Sequence, residues 1–324
     1  MRVPARYSVL LLGPMVFAQC VCAAESATYP TRPVRIIVPQ SPGASTDLTA
    51  RMIGQKLAEA FKQPVVIENR PGSSGIAGTE AVARASPDGY TLMLVASSFS
   101  INPALGRKLP YDAIKDFTTV SQLARFPNML AAHPSFPAKT LPEVIAAAKA
   151  KPGQISYASA GLATGTHMSA ELLRYMTGMD LLHVPYKGGA PAMSAALGGQ
   201  TQLVVSTSVG LLTHVRSGKL RAIALTSAQR SPVAPDIPTI AETVPGYEHE
   251  PWNGMFAPAG IPKPVLAKIS GEVMRAVHEP DVKRVLETDG ATPVGNKPEE
   301  FAVVLKTEVD KWRKVAKAAN IKLE

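Results

Sequence analysis

Short apolar runs alternate with segments of helical periodicity along most of the chain, and few folds accommodate that alternation. In the first part, strands are predicted at 34–38, 65–67 and 90–96, with helices at 48–61 and 77–85 between them. Loops rich in glycine, proline and serine separate these elements. A βαβαβ order of this kind is typical of a parallel sheet with helices on its faces. The sequence therefore predicts an α/β fold.

A second series of the same kind follows the first. Its predicted strands are 155–158, 181–184, 203–206 and 221–226, and its predicted helices are 141–151, 167–177, 191–198 and 211–217. An extended segment at 251–258 and two helices at 264–278 and 298–319 complete the pattern. With 324 residues, of which 46% are hydrophobic, the chain has enough apolar material for more than one core.

We predict two lobes, each with a parallel-rich sheet and flanking helices. The first lobe is formed by 28–127 together with 250–324, and the second by 128–249. The chain would cross between the lobes near 127–128 and again near 249–251. Two crossings form a natural hinge, about which two lobes can open and close.

The N-terminus has the three-part layout of a secretion signal. Arg2 and Arg6 precede an apolar stretch at 9–17, and small residues end at Ala24. We predict a signal peptide at 1–24 that is cleaved on export to the periplasm. An uncleaved anchor and a lipoprotein are the alternatives. Both cysteines, Cys20 and Cys22, lie in this segment, so the mature protein would contain no disulfide and no cysteine nucleophile.

The charge pattern argues against a nucleic-acid-binding protein. The formal net charge is +9, but the basic residues are scattered and only 6% of residues are aromatic. A nucleic-acid footprint needs a clustered basic patch with aromatic residues among it. We interpret the charge as a mild electrostatic bias towards small anionic ligands, and we expect a monomer.

The candidate ligand site consists of loops that follow the predicted strands. In open parallel sheets, ligands bind outside the carboxyl ends of the strands. The loops there are small, rich in glycine and hydroxyl groups, and run into helix N-termini, whose free N–H groups bind carboxylates or phosphates. One such loop in each lobe would let a ligand bridge the cleft. The candidate residues are Ser41, Pro42, Gly43, Ala44, Ser45, Asp47, Ser97, Ser98, Ser159, Thr164, Gly165, Thr166, His167, Lys187, Gly188, Gly189 and Ser206.

Several of these residues also have a purely structural interpretation. Ser45 and Asp47 are typical helix-capping residues, and a carboxylate at Asp47 would repel an anion. A lone histidine such as His167 more often makes a structural hydrogen bond than binds a metal. Lys187 is either an anion partner or a solvated side chain.

Enzyme signatures are mostly absent from the sequence. It contains no G-x-S-x-G, P-loop or H-E-x-x-H motif, and we predict no catalysis, no cofactor and no metal. A hydrolase that uses Ser159 or Thr166 with His167 is the remote alternative. That pairing has poor geometry, because residues adjacent at one helix start point in different directions.

Several segments in order resemble one bacterial family. They are 32–39, 42–43 with Asp47 and Arg51, 65–72, 87–92, 183–189, 218–222, 235–239 and 245–248. Together they resemble the Bug proteins, the TctC-like receptors of tripartite tricarboxylate transporters. The resemblance implies a type II periplasmic binding protein, a two-lobed Venus flytrap, that delivers a small carboxylate to membrane transporter subunits. It further implies binding through backbone amides of the loops named above.

Two positions depart from the family pattern. Ala44 follows Gly43 where the family often has two glycines, and Ser206 stands where many relatives carry an aspartate. An aspartate there would suit a ligand amino group, so we expect an amino-acid ligand to be disfavoured. A membrane sensor kinase is the alternative partner to a transporter.

Overall fold

The computed structural model describes residues 29–43, 45–72, 75–106, 108–288, 290–318 and 321. The predicted signal peptide at 1–24 and the candidate ligand residue Ala44 lie outside the described residues. Within the described residues, no helix is long and apolar enough to cross a membrane.

The strands and helices follow the predicted alternation. The strands are β1 Val34–Val38, β2 Val65–Asn69, β3 Thr91–Ala96, β4 Phe117–Arg125, β5 Asn128–Ala132, β6 Ser156–Ser159, β7 Leu182–Pro185, β8 Leu203–Thr207, β9 Arg221–Leu225, β10 Trp252–Pro258 and β11 Thr292–Pro293. The helices are α1 Ser45–Phe61, α2 Ile76–Ala83, α3 Ser98–Ile101, α4 Leu141–Ala150, α5 Gly165–Thr177, α6 Gly189–Leu197, α7 Ser208–Arg216, α8 Lys263–His278, α9 Pro280–Thr288 and α10 Pro298–Ala318. Two 3₁₀ turns cover Asn102–Leu105 and Ile240–Glu242.

The strands form two separate mixed sheets. The first has the order β11-β4-β10-β3-β1-β2, and the second has the order β7-β6-β8-β5-β9. In the first, β1 pairs in parallel with β2 and β3, whereas β10 is antiparallel to β3 and β4. In the second, β6 is parallel to β7 and β8, and β5 is antiparallel to β8 and β9. Each sheet therefore combines parallel strands with antiparallel ones. The prediction of two parallel-rich sheets did not include the antiparallel pairings of β10 and β5.

Strands β4 and β5 were missed because their sequence does not alternate cleanly. Thr119, Ser121 and Gln122 are buried polar residues in β4 that read as loop residues. Their partners come from a distant segment. Ser121 Oγ donates to the Asn296 carbonyl at 2.7 Å, and the Gln122 N–H donates to the Asn296 side chain at 2.9 Å. These partners lie 174 or more residues away along the chain, and the local sequence does not reveal them.

Helix α1 begins three residues earlier than the apolar periodicity indicates. Its first turn consists of Ser45, Thr46 and Asp47, which are polar, so the apolar pattern starts only after them. Ile53, Leu57 and Phe61 then form a buried stripe against the first sheet. An acidic residue in the first turn suits the positive end of the helix dipole.

The last helix, α10, packs into both cores. Phe301 and Leu305 in its first half lie with Trp252 of the first sheet. Trp312 and Val315 in its second half belong to the core of the second sheet. The predicted lobes placed the whole of 250–324 in the first lobe. The packing of α10 adds a third connection to the two chain crossings that form the predicted hinge.

Candidate functional site

The candidate residues of the first lobe lie where β1 and β3 end. Ser41, Pro42, Gly43 and Ser45 are exposed in the turn between β1 and α1. Because β1 and β3 are parallel neighbours, their carboxyl ends lie at the same edge of the sheet. Residues 41–43 and Ser45 therefore share that edge with the start of α3 at Ser98.

Asp47 braces this turn from the inside. Its side chain is 2% exposed, and its Oδ2 accepts from the Gly43 N–H at 2.9 Å and from Arg51 Nε at 3.1 Å. Its Oδ1 accepts from Asn69 Nδ2 at 2.9 Å. Burial alone would raise the pKa of Asp47, but these hydrogen bonds outweigh burial and lower the pKa. Both oxygens are thus held by donors of the same lobe, as expected of a loop brace.

Ser97 is buried at the end of β3, next to β10. Its N–H donates to the Trp252 carbonyl at 2.9 Å. Its own carbonyl accepts from the Ser100 hydroxyl at 2.7 Å. Ser98, the other candidate here, is half-buried in the first turn of α3.

In the second lobe, the loop between β6 and α5 has an unusual backbone. Gly161 has a φ of +130°, and Ala163 has a φ of +60°, a left-handed conformation that costs a non-glycine residue about 1–3 kcal/mol. A Cβ on Gly161 would lie 3.0 Å from the Tyr186 carbonyl oxygen. The surrounding contacts must hold this loop in place.

Threonine hydroxyls join this loop to the start of α5. Thr164 is the N-cap, and its Oγ1 accepts from the His167 N–H at 3.4 Å and donates to the Gly161 carbonyl at 2.7 Å. Thr166 Oγ1 accepts from the Ala160 N–H at 3.0 Å. The N–H groups of Gly165 and Thr166, in the first helical turn, have no acceptor within the helix. The loop therefore presents free donors at the edge of the second sheet.

His183 of β7 lies beneath this loop, and the sequence analysis did not select it. Its Nε2 lies 2.6 Å from Ser159 Oγ, and its ring stacks on the ring of His167 at 4.1 Å. The other ring face stacks on Tyr157 at 4.8 Å. The sequence did contain a signal for it, because His183 is a histidine inside the predicted strand 181–184. In the sheet, this strand runs parallel to β6, and His183 lies opposite Tyr157.

Both histidines are held neutral by burial. Burial, with the positive charge of Arg174, lowers the pKa of His167 to about 4. Burial, with His167 next in importance, lowers the pKa of His183 to about 3. The contacts also bear on the hydrolase alternative, which paired Ser159 or Thr166 with His167. Ser159 contacts His183 and not His167. Ser159 is fully buried, which does not suit a nucleophile.

A buried ion pair lies behind the histidines. Glu171, 1% exposed, accepts from the Tyr157 hydroxyl at 2.8 Å and from Arg174 Nη1 at 2.8 Å. Arg174 also pairs with Asp180 at 2.7 Å. Because each charge has a partner, this cluster is a supporting network for the loop.

The two lobes meet at the start of α5. A Cβ on Gly165 would lie 2.5 Å from Pro251 Cγ, in the second crossing, and 3.8 Å from Ser97 Oγ. Within the second lobe, a Cβ on Gly189 would lie 3.6 Å from Ser206 Oγ. The structure thus brings Ser97 to Gly165 and Gly189 to Ser206. Lys187 is exposed, Gly188 is half-buried, and among the described residues no hydrogen bond joins the turn at 41–45 to the second lobe.

One large cavity lies away from these loops. It has a volume of about 700 Å³ and is lined by residues 227–233, residues 290–293, Arg125 at the end of β4, and the crossing residues Pro127 and Glu250. None of the candidate ligand residues lines it. Among the described residues, no group of three or more His, Cys, Asp or Glu side chains is placed to hold a metal ion.

Comparison with known proteins places the chain in a family. Residues 49–321 match the sequence profile of the tripartite tricarboxylate transporter family receptor. The chain belongs to this family. The predicted family resemblance is therefore confirmed over most of the chain.

Three solved structures are similar to this receptor over nearly their whole length. The periplasmic binding protein BugD is 34% identical, with a TM-score of 0.76 over 91% of this chain and 100% of BugD. R. palustris Rpa4515 with adipate is 34% identical, with a TM-score of 0.78 over 91% of this chain and 99% of that chain. MatC from Rhodopseudomonas palustris with bound malate is 34% identical, with a TM-score of 0.75 over 89% of this chain and 99% of MatC. The predicted fold of a two-lobed α/β periplasmic binding protein is confirmed.

Proposed function

We propose that this receptor captures a small dicarboxylate in the periplasm and delivers it to the membrane subunits of a tripartite tricarboxylate-type transporter, without catalysing a reaction. Two relatives of the same fold, at 34% identity, are described with adipate and with malate, which are both dicarboxylates. A single chemical feature, two carboxylates on a short carbon chain, is common to both ligands. Export through the predicted signal peptide at 1–24 agrees with this location.

The observation that carries the proposal is the loop at 159–165 and its meeting with the first lobe. Its free N–H groups at Gly165 and Thr166, at the positive end of a helix of 13 residues, suit one carboxylate. The exposed residues 41–43, together with exposed Ser45 at the start of the 17-residue helix α1, suit the other. Ser97 lies 3.8 Å from the Cβ position of Gly165, so the two edges converge there.

The proposed binding residues belong to these edges. In the first lobe they are Ser41, Pro42, Gly43, Ala44, Ser45, Asp47, Ser97 and Ser98, and in the second Ser159, Thr164, Gly165, Thr166, His167, Lys187, Gly188, Gly189 and Ser206. Most of them act through backbone amides or hydroxyls. Asp47 and His167, whose side chains are bound within their own lobes, contribute by shaping the loops.

Capture occurs by closure of the two lobes, for which we propose 28–127 with 250–324 and 128–249. A ligand that contacts both edges binds the closed form more tightly than the open form, and this difference in affinity drives closure. The closed form is then the one that the transporter recognises.

A thermal-shift screen of the mature protein tests the proposal. The panel is adipate, L-malate, succinate, citrate, L-glutamate and the monocarboxylate butyrate. A ligand at 100 times its Kd stabilises the folded state by about 2.7 kcal/mol, so we expect a raised Tm with at least one dicarboxylate and no shift with butyrate. With Ser206 in place of an aspartate, L-glutamate should give less stabilisation than L-malate.

Variants connect the shift to the proposed site. Thr164→Ala removes the N-cap hydroxyl and should reduce the ligand-induced shift, whereas Ser217→Ala, at an exposed helix end, should leave it unchanged. Protein that has been unfolded and refolded excludes ligand retained from expression. If no carboxylate raises the Tm of refolded protein, the dicarboxylate assignment is wrong.

A further inference from the structure

The loop at 159–165 holds a conformation that its own sequence does not favour. Ala163 is left-handed at a φ of +60°, although it has a Cβ. Its N–H group finds its acceptor on helix α5, beyond the end of the loop. A group outside the loop therefore contributes to holding this conformation.

His167 supplies that group. The Ala163 N–H donates to His167 Nδ1 at 3.2 Å, so Nδ1 is an acceptor and carries no proton. The ring proton is then on Nε2, which faces Glu171 Oε1 at 3.7 Å. The contact with Ala163 thus defines both the charge and the tautomer of His167.

His183 supplies the second contact, at the other end of the loop. Its Nε2 meets Ser159 Oγ at 2.6 Å, and the same oxygen accepts from the Gly161 N–H at 3.2 Å. Ser159 is the last residue of β6, where the loop begins. The two histidines therefore hold the loop at its start and near its end, and their rings stack on each other at 4.1 Å.

The surroundings of the pair disfavour a proton on either ring. The ionisable groups that face it are Tyr157 of β6 together with Glu171 and Arg174 of α5. Glu171 is already matched by Arg174 and by the Tyr157 hydroxyl. A proton on His167 Nδ1 would replace the acceptor for Ala163 with a second donor.

We propose that His167 and His183 form a neutral stacked pair that positions the loop at 159–165 for ligand capture, His167 through the Ala163 amide and His183 through the Ser159 hydroxyl. The role of the pair in ligand capture rests on the proposed function, whereas the charge of the two rings and their contacts with the loop do not depend on it. Both histidines are positioning residues, which act on the ligand only through the loop.

The first test measures the wild-type protein without ligand. Long-range ¹H–¹⁵N correlation spectra of the histidine rings at pH 7 report the charge and the tautomer of each ring. We expect His167 to be neutral with its proton on Nε2. A charged His167, or a neutral His167 with its proton on Nδ1, overturns the proposal. This measurement uses the wild-type protein, so it does not depend on whether a variant folds.

The second test compares two variants of His167. Asparagine places an amide oxygen near the position of Nδ1, and leucine keeps the bulk but offers no acceptor. A net hydrogen bond corresponds to about a ten-fold change in an equilibrium, so we expect amide exchange of Ala163 to be about ten-fold faster in His167→Leu and close to wild type in His167→Asn. The Val38 amide, in the other sheet, is the internal control. Equal Ala163 exchange in all three proteins overturns the proposal.

The third test connects the pair to binding by calorimetry with adipate and L-malate. If His183 acts through Ser159, the losses of affinity in His183→Leu and Ser159→Ala should not add in the double variant, and His183→Gln should restore most of the affinity. Additive losses overturn the role of His183. If wild-type protein binds neither acid, the ligand assignment fails, whereas the tautomer and exchange measurements still decide the structural part.

Discussion

Gly165 and Pro251 are in contact across the lobes: a Cβ added to Gly165 would lie 2.5 Å from Pro251 Cγ. Gly165 is the first residue of α5, and Pro251 directly precedes β10, where the chain returns to the first sheet. Real Cβ atoms do not approach a ring carbon so closely, so even a methyl group here must separate the two elements. The described arrangement of the lobes thus depends on a glycine at this position.

We therefore predict that Gly165→Ala weakens ligand binding by about ten-fold or more, since an overpacked contact typically costs about 1–3 kcal/mol. Calorimetry with the acid that stabilises wild type most would measure the loss. Gly271→Ala is the matched control, because Gly271 lies in α8 with no atom within 4 Å of its Cβ position. Equal affinity of Gly165→Ala and wild type would show that this contact does not limit closure.

Asp47→Asn is expected to destabilise the protein by about 1–3 kcal/mol, because an amide N–H₂ would face donors that now share a buried carboxylate. Urea unfolding at pH 7 measures the change. The lowered pKa of Asp47 means that its contribution is present at neutral pH and is lost as the pH falls through the folded-state pKa. Asp310→Asn, on an exposed face of α10, should change little.

Stability should decrease as the pH falls from about 6.5 towards 4, since an unfolded histidine takes up a proton near pH 6.5 and folded His167 does so only at about 4. At about 1.4 kcal/mol for each pKa unit, His167 alone accounts for about 3 kcal/mol across this window. His183 and the fully buried His249 act in the same direction.

The variant that isolates this effect is His167→Asn, whose urea midpoints should depend less on pH between 6.5 and 4 than those of wild type. Ser217→Ala, at the exposed end of α7, removes no ionisable group, so it serves as the control and should retain the wild-type slope. An unchanged slope in His167→Asn would contradict the assignment of this pH dependence to the histidine pair.

Glu308 links α10 to the first lobe, and its loss should cost about 1–3 kcal/mol. Its Oε2 accepts from Trp252 Nε1 at 2.7 Å and from Ser100 Oγ at 2.9 Å, and both partners are buried. Glu308→Ala leaves the buried Trp252 N–H without an acceptor, at about 1–3 kcal/mol, while the Ser100 hydroxyl keeps the Ser97 carbonyl as its acceptor. Glu308→Gln keeps a carbonyl oxygen and should be milder. Unfolding followed by tryptophan fluorescence compares the two with the exposed Lys314→Ala. Identical stabilities of the alanine and glutamine variants would contradict this role.

Much of the fold follows from local sequence. The β-branched runs predicted β1 and β9 within one residue of their ends, and the periodicity of α8 and α10 predicted both helices equally well. These elements bury side chains at regular spacing, so the pattern is visible in one window of sequence.

The local sequence did not reveal contacts between distant segments. His183 was passed over because its partner Ser159 lies 24 residues away, and the buried polar strand β4 was missed because Asn296 satisfies it from 174 residues away. The same holds for α10, whose two halves enter different cores: Glu308 meets Ser100 across 208 residues.

By itself, the sequence determined the family, the α/β alternation and the loops that carry the candidate ligand residues, because these depend on local composition and spacing. Only the tertiary structure decided which histidine holds Ser159, that α10 packs into both cores, and that Gly165 lies against Pro251. Those relationships depend on where the folded chain brings remote residues together. A buried hydrogen bond or a close packing contact is specified by both partners at once, and no single stretch of sequence contains both.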